Sequence, residues 1–279
     1  MMIRLLSWNI NGNQKAWSEL ANSDIELALL QEAKPPLESL DSVVPYQTTP
    51  WFTGGGIRRN WRTAIARFSN KIIMQPYKLR TVDEFDPNSL PVSCKGTLAA
   101  ADIVIKSTKE VITVISMYGA WEETLINKEN RWKYADATVH RLISDISAII
   151  GHEYKHKIIA AGDLNIYHGY GDSSNRQYWK ARYDTVFDRM DAIGLPFVGP
   201  QAPEGGIQAD QWPEELPKDS KDVPTFRTKK NIPETATRQL DFVFASESLK
   251  DRLHIRAINR PEEWGPSDHC RILIELKES

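Results

Sequence analysis

The stretch AAGDLNIYHGYGD, residues 160–172, leaves an apolar run and then sets Asp163 and Asn165 two residues apart. Small polar residues after a strand make an ordinary turn. A reaction that needs a carboxylate and a carboxamide together would place them there too. Side chains two apart on an extended segment share a face, so the spacing suits a shared task. The stretch alone leaves both readings open, and the rest of the chain separates them.

The run that feeds this stretch, KIIAAGD, has counterparts along the chain: IRLLSW, IELALLQ, RTAIARF, TLAAADIVI, VITVISM, LDFVFAS, LHIRAI and RILIEL. Many mix β-branched and other apolar residues without clean alternation. That composition suits strands buried on both faces, between a second sheet and a helix layer. Leu125, Trp132, Val139, Leu142, Ile143, Ile146 and Ile150 recur at helical spacing, which predicts a helix from about Thr124 to Ile150, stopped by Gly151. Trp179, Tyr183, Val186, Phe187 and Met190 predict another from about Asn175 to Ile193, with Gly194 after it. Helices interspersed among many strands indicate an α/β chain with helices covering sheet faces. Residues 199–222 are rich in Pro, Gly and acids and read as a long functional or mobile loop, or as a linker. The few strands beyond residue 222 are too little for an independent core, which favours a single domain over 1–279.

With 279 residues the chain can bury a large core. It is 41% hydrophobic and 26% charged, an ordinary globular balance. The formal net charge of −2 means that a polyanion must be met by a local basic patch. Two cysteines, Cys94 and Cys270, are too few for a disulfide framework or a cysteine-rich zinc site. The opening MMIRLLSWNI turns polar too soon for a signal peptide and reads as a strand. No apolar run approaches the ~20 residues of a membrane span. The expectation is therefore a cytoplasmic protein.

Polar groups gather at strand ends. SWNING carries Asn9 and Asn11, LLQEAK carries Glu32, GDLN carries Asp163 and Asn165, and SDHC carries Asp268 and His269. QLDFVFAS places Asp241 inside an apolar strand, where a buried carboxylate needs a partner. Each of the others is, by itself, also a plausible turn or solvated end. Together they supply carboxylates, carboxamides and an imidazole that converging strands can bring to one pocket. Hard carboxylate oxygens suit Mg²⁺ or Mn²⁺, which keep several waters and need few protein ligands. Such a pocket supports hydrolysis of a phosphate ester: a carboxylate activates water, Asn orients it, and His neutralises charge on the phosphoryl oxygens.

SWNING, LLQEAK, GDLN, QLDFVFAS and SDHC occur in the order of the endonuclease/exonuclease/phosphatase superfamily, and the chain resembles its exonuclease III and DNase I branch. The motifs run from residue 7 to residue 270, nearly the whole chain. The resemblance implies a four-layer αββα sandwich, two mixed sheets packed face to face and flanked by helices. It implies Mg²⁺ or Mn²⁺ held through Glu32, with Asn11 and Asp268 beside it. Asn9 and Asn11 resemble the pair that supports metal and water, and Asp163 the residue that positions or deprotonates that water. Asn165 resembles its phosphate-orienting companion, and His269 the phosphate-contacting histidine. Asp241 resembles the aspartate that holds the histidine ring by its second nitrogen. Tyr118, ending VITVISMYG, matches a tyrosine that touches the scissile phosphate, though a core Tyr closing a strand looks the same in sequence.

The superfamily includes DNA-repair endonucleases, non-specific DNases, RNA deadenylases, sphingomyelinases and inositol polyphosphate phosphatases. Trp51 to Arg80 carries seven basic residues and no acid, with Trp51, Phe52 and Trp61 interleaved. Arg58, Arg59 and Arg62, after a run of glycines, suit a phosphate backbone, and the aromatics suit stacked bases. Arg227, Lys229, Lys230 and Arg238 form a second basic set, or else a solvated hairpin. The aromatic-rich stretch of the abasic-site enzymes is missing: VPTFRTKKNIPETATRQ holds Phe226 alone. No hydrophobic hairpin of the sphingomyelinase kind is visible. His168 matches no family residue and reads as a loop histidine. The expected function is a metal-dependent nuclease acting on DNA. A phosphomonoesterase or small-molecule phosphodiesterase with the same pocket, or a silent binding module, are the alternatives.

Overall fold

A computed structural model describes residues 2–37, 42–45, 50–54, 59–122, 134–150, 155–169 and 177–279. In it the apolar runs become two six-stranded mixed sheets. The first is ordered β13 (Leu253–Ile258), β14 (Arg271–Lys277), β1 (Met2–Asn9), β2 (Leu27–Ala33), β4 (Arg62–Arg67) and β3 (Val43–Val44). The second is ordered β11 (Phe197–Gly199), β12 (Asp241–Ala245), β10 (Ile158–Asp163), β9 (Val111–Tyr118), β8 (Leu98–Ile105) and β5 (Ile72–Pro76). A short parallel pair, β6 (Leu79–Thr81) and β7 (Leu90–Val92), stands apart. Every run quoted above as a strand lies in one of the two sheets.

Side-chain parity builds the layers. Ile3 and Leu5 of β1 and Leu27 and Leu29 of β2 join Ile112, Val114, Ile159, Ala161 and Val243 in one buried cluster between the sheets. The opposite parity, Leu6, Trp8, Ala28 and Leu30, packs on Trp17 and Leu20 of α1 (Gln14–Ala21). On the far side, Ile115, Met117, Ile158, Ala160, Phe242 and Phe244 meet α2 (Ala135–Ser147) and α3 (Gln177–Ala192). The result is the expected four layers, helix, sheet, sheet, helix. Each fully buried Leu, Ile or Phe contributes ~1.5–3 kcal/mol by leaving water.

The helices follow their apolar faces. Val139, Leu142, Ile143 and Ile146 of α2 are buried, and so are Val186 and Met190 of α3. The predicted start near Thr124 lies outside the described residues, as does Gly151. Helix α2 ends at Ser147, and Ile149 and Ile150 pack on the same cluster from a turn. Gly194, at φ +78°, closes α3 with Leu195 N donating to Met190 O at 2.9 Å. Of residues 199–222, Gly199 ends β11 and the rest form a loop that packs back on β13 and the residue after it: Ala257 N donates to Gly205 O at 2.7 Å, and Ile207 N to Asn259 Oδ1 at 3.0 Å. Among the described residues no helix is long and apolar enough to cross a membrane.

The parity that makes the inter-sheet core changes character toward one end. After Ile3 and Leu5 come Ser7 and Asn9; after Leu29 comes Gln31; after Val114 come Ser116 and Tyr118; after Ile159 and Ala161 comes Asp163. All of these polar residues are buried. The register sets Asn9 against Gln31, and Asp163 between Tyr118 and Asp241. Toward this end of the cleft between the sheets, the hydrocarbon filling therefore gives way to buried polar side chains.

Candidate active site

Gly162 shows why the chain reads GD at this point. A Cβ there would lie 1.9 Å from Met117 O, so β10 and β9 approach as closely as only glycine permits. Asp163 comes next, wholly buried, with Asn9 Nδ2 donating to its Oδ2 at 2.8 Å.

Asn165 meets Asp163 by a different geometry from that expected of an extended pair. Its φ of +52° puts it in the left-handed region, and its backbone N donates to Asp163 Oδ1 at 2.9 Å. Its Nδ2 donates to Asp163 Oδ2 at 3.1 Å and to Gly119 O at 3.1 Å. The NIN stretch repeats this turn: Asn11 sits at φ +46°, and its N donates to Asn9 Oδ1 at 3.0 Å. Each is a side-chain-closed turn, with a buried apolar residue, Ile10 or Leu164, between its two polar ones. Asparagine accepts the left-handed conformation better than most residues, which explains its place at both turns.

Glu32 reaches the cleft through a bulge. By parity it would share the α1-facing side of β2 with Ala28 and Leu30. The β2–β4 register slips between Leu30 and Ala33, and Glu32 adopts φ +48°. A strained backbone re-aims the carboxylate. Tyr118 Oη then donates to Glu32 Oε1 at 2.9 Å and accepts from Arg59 Nη1 at 2.5 Å.

His269 arrives from the turn before β14. Its Nδ1 lies 2.8 Å from Asp241 Oδ2, and its Nε2 lies 3.7 Å from Asp163 Oδ2 and 3.5 Å from Asn9 Nδ2. Burial pulls the imidazole pKa down, but Asp241, Asp163 and Asp268 outweigh it and raise it to about 10. Burial raises the Asp163 carboxyl to about 7, with His269 opposing and Asp241 and Glu32 adding. Burial likewise raises Tyr118, which stays a neutral phenol.

Asp163, Asp241 and His269 offer ligand atoms all within 4.8 Å of one another, a buried cluster capable of holding a divalent cation. Asp241 Oδ1 is buried and has no hydrogen-bond partner among the described residues. On the rim, Asn11 Nδ2 donates to Asp268 Oδ2 at 2.9 Å, so Asp268, from the turn before β14, and Glu32, from the β2 bulge, add hard oxygen donors.

A chain-wide match now decides the family: the profile described as "Endonuclease/Exonuclease/phosphatase family" matches residues 6–269. The chain belongs to that family. Solved structures agree on the fold. The AP endonuclease LMAP from Leishmania major is 13% identical at a TM-score of 0.64, covering 100% of this chain and 88% of that one. The endonuclease domain of TRAS1, a telomere-specific non-LTR retrotransposon, is 18% identical at 0.59, covering 99% of both chains. The 3'-5' exonuclease NExo from Neisseria meningitidis is 15% identical at 0.57, covering 99% and 100%. No curated protein sequence matches significantly.

In this family member the structure brings Asn9, Asn11, Glu32, Tyr118, Asp163, Asn165, Asp241, Asp268 and His269 to one end of the cleft. Arg59 joins them through Tyr118. Arg58 lies outside the described residues. Arg62 is turned away: it is 6% exposed, with Nη1 donating to Pro50 O at 3.2 Å. The second basic set splits. Arg227 N donates to Asp268 O at 2.9 Å, and Lys229 and Lys230 are exposed beside it, while Arg238 pairs with Glu215.

The supports of the site escape a reading by motif alone. Trp8 Nε1 donates to His269 O at 3.0 Å, and Ser267 Oγ donates to Asn9 O at 2.6 Å. The Phe226 ring lies 4.9 Å from that of His269. Trp8 and Ser267 fall inside the quoted motifs, so adjacency is their signal. His168 accepts a structural role: its Nδ1 lies 2.9 Å from Asp222 Oδ1, and its ring packs on Phe187 and Phe197 at 4.7 and 4.8 Å.

Proposed function

We propose that this chain is a metal-dependent phosphodiesterase, a nuclease that hydrolyses DNA. The observation that carries the reading is the arrangement of Asp163 and His269. One carboxylate is held by Asn9 and Asn165 on both oxygens, and faces an imidazole held protonated by Asp241.

A phosphate over the cleft meets His269 Nε2–H and Asn9 Nδ2–H, which donate to its non-bridging oxygens and offset developing charge. Asp163 takes the proton of the attacking water, and a pKa near 7 suits a general base at neutral pH. The water oxygen bonds to phosphorus, the ester P–O bond breaks, and the leaving oxygen takes its proton from solvent. Tyr118 Oη, pinned between Arg59 and Glu32, marks the wall along which the phosphate lies.

Mg²⁺ or Mn²⁺ supplies charge neutralisation and lowers the pKa of bound water. Glu32, Asp268 and Asn11 are the residues proposed to hold it. The buried Asp163–Asp241–His269 cluster is the rival position. Against it, His269 Nδ1 and Asp241 Oδ2 already spend their near atoms on each other at 2.8 Å.

DNA is favoured because the similar solved structures are named as endonucleases and an exonuclease, and because Arg59, Lys229 and Lys230 give the cleft a basic rim. One similar structure is named a 3' phosphatase bound to a product DNA hairpin, which supports terminal phosphate removal as a second reading. The reading takes residues 1–279 as one catalytic domain. A reducing, cytoplasmic setting suits two buried free cysteines. The test is incubation with Mg²⁺ or Mn²⁺ against supercoiled plasmid, single-stranded DNA, RNA and an inositol phosphate panel. Loss of DNA supports the reading, and loss of inositol phosphates with intact nucleic acid refutes it.

A further inference from the structure

A cavity of about 510 Å³ opens at the edge of the sandwich, where β3 and β4 face β5 and β8. That volume is in the range of small-molecule pockets. Val44, Leu79 and the Tyr77 ring give it apolar walls, and Arg62 and Lys95 give it cations.

Those two cations lack an anion among the described residues. Arg62 is 6% exposed, and its Nε is buried with no partner among them. Burial lowers its pKa to about 10, which still leaves it charged at neutral pH. Lys95 Nζ lies 5.7 Å from the Phe52 ring centroid and has no carboxylate partner among the described residues. The other basic lining residues are engaged: Lys78 pairs with Asp86 at 2.7 Å, and Arg80 Nε donates to Asp86 O at 3.2 Å. A buried guanidinium that reaches a carbonyl, Pro50 O, but no anion among the described residues is costly unless something neutralises it. An apolar cavity with two unmatched cations is complementary to an anion joined to an apolar body.

Position narrows the class. Arg62 is in register with Ala33, the residue after Glu32, and Tyr118 N donates to Thr97 O at 2.9 Å, one residue past Gly96 of the cavity wall. Cavity and cleft thus share one end of the sandwich, separated by one to two strand spacings, roughly 5–10 Å. A nucleic-acid strand crossing the cleft delivers bases and phosphates over that reach.

We propose that this cavity binds one nucleotide unit, its base against Tyr77 and the aliphatic wall and its phosphate on Arg62 and Lys95. The choice of a nucleotide among amphipathic anions rests on the nucleic-acid reading above. The test is calorimetric titration of the metal-free full chain, in chelator, with deoxyadenosine 5'-monophosphate. Wild type and His269→Ala are expected to bind alike. Arg62→Met and Leu79→Trp, the first removing the cation and the second filling the cavity, are expected to weaken binding at least about tenfold. Inorganic phosphate and deoxyadenosine are each expected to bind more weakly than the whole nucleotide. Circular dichroism checks each fold, and Leu79→Trp decides if Arg62→Met does not fold. No binding by wild type, equal binding in the two cavity variants, or loss in His269→Ala alone overturns the assignment. A chain that binds the nucleotide through Arg62 yet degrades no nucleic acid refutes the hydrolytic reading and not the cavity. Degradation without this binding does the reverse.

Discussion

Asp241→Asn isolates the pair on which the proposed chemistry turns. Asp241 is 1% exposed, and its Oδ2 lies 2.8 Å from His269 Nδ1. It is the foremost of the charges that hold the imidazole at about 10 against burial. The rise from 6.5 to about 10 is what remains after Asp241, Asp163 and Asp268 have overcome burial, and corresponds to roughly 5 kcal/mol of net preference for the protonated ring. Replacing one carboxylate by a neutral amide removes a charged hydrogen bond of ~1.5–3 kcal/mol. The desolvation that lowers the pKa stays. The ring then loses its proton at a lower pH and presents Nε2 without the same charge. A rate loss on the order of 10²–10⁴-fold is expected at pH 8. Wild type keeps a protonated His269 up to about pH 10, so the alkaline limb of the variant's rate profile should move toward acid. His269→Ala should cost a similar factor, and the double variant little more than the worse single, because the two residues act as a unit. The assay is a pH series of cleavage rates on one DNA substrate at saturating metal. Multiplicative losses, or an unmoved alkaline limb, would refute the coupling of ring and carboxylate.

Three further outcomes are expected. Glu32→Ala should weaken Mg²⁺ or Mn²⁺ binding in calorimetry far more than Asp241→Asn does, since hard cations depend on few carboxylate ligands; the reverse order places the ion in the buried cluster. The metal-free chain should lose stability as pH rises, because both raised groups hold extra protons in the fold: Asp163 across about pH 4 to 7 and His269 from about 6.5 to 10. Melting temperatures in chelator should therefore fall across this range, and Asp163→Asn should remove the part below pH 7. Replacing Arg59, Lys229 and Lys230 by Ala should flatten the salt dependence of DNA binding by roughly one to three units of log–log slope. An unchanged slope removes the rim from the interface.

The long buried strands are legible in the sequence because doubly buried strands are nearly all apolar, as in KIIAAGD and VITVISM. Short edge pieces such as β3, β5 and β6 are not, because two to five partly exposed residues carry little periodicity. The site is legible as motifs and less so as geometry. Spacing alone makes Asp163 and Asn165 neighbours on an extended segment, whereas a left-handed turn closed by a backbone N–H joins them. Glu32 reaches the cleft only through a bulge, which parity cannot foresee. Arg62 resembles its neighbours in an arginine-rich stretch. Its burial depends on strand pairing with Ala33 and on the close approach of Gly96, where an added Cβ would lie 3.1 Å from Arg62 Cβ, contacts far apart in sequence.

Cleavage of an end-labelled DNA duplex in Mn²⁺, by wild type and Asp163→Asn purified side by side, tests the central claim most directly. Asp163 is wholly buried, and three hydrogen bonds from Asn9 and Asn165 aim it, so Asn fits the space but takes no proton. Loss of a general base is expected to cost on the order of 10²–10⁴-fold in rate. Wild type should cut in metal and fall silent in chelator, with the variant reduced by that factor and folded by circular dichroism. Equal cleavage by the two proteins, or none by wild type, would contradict the account.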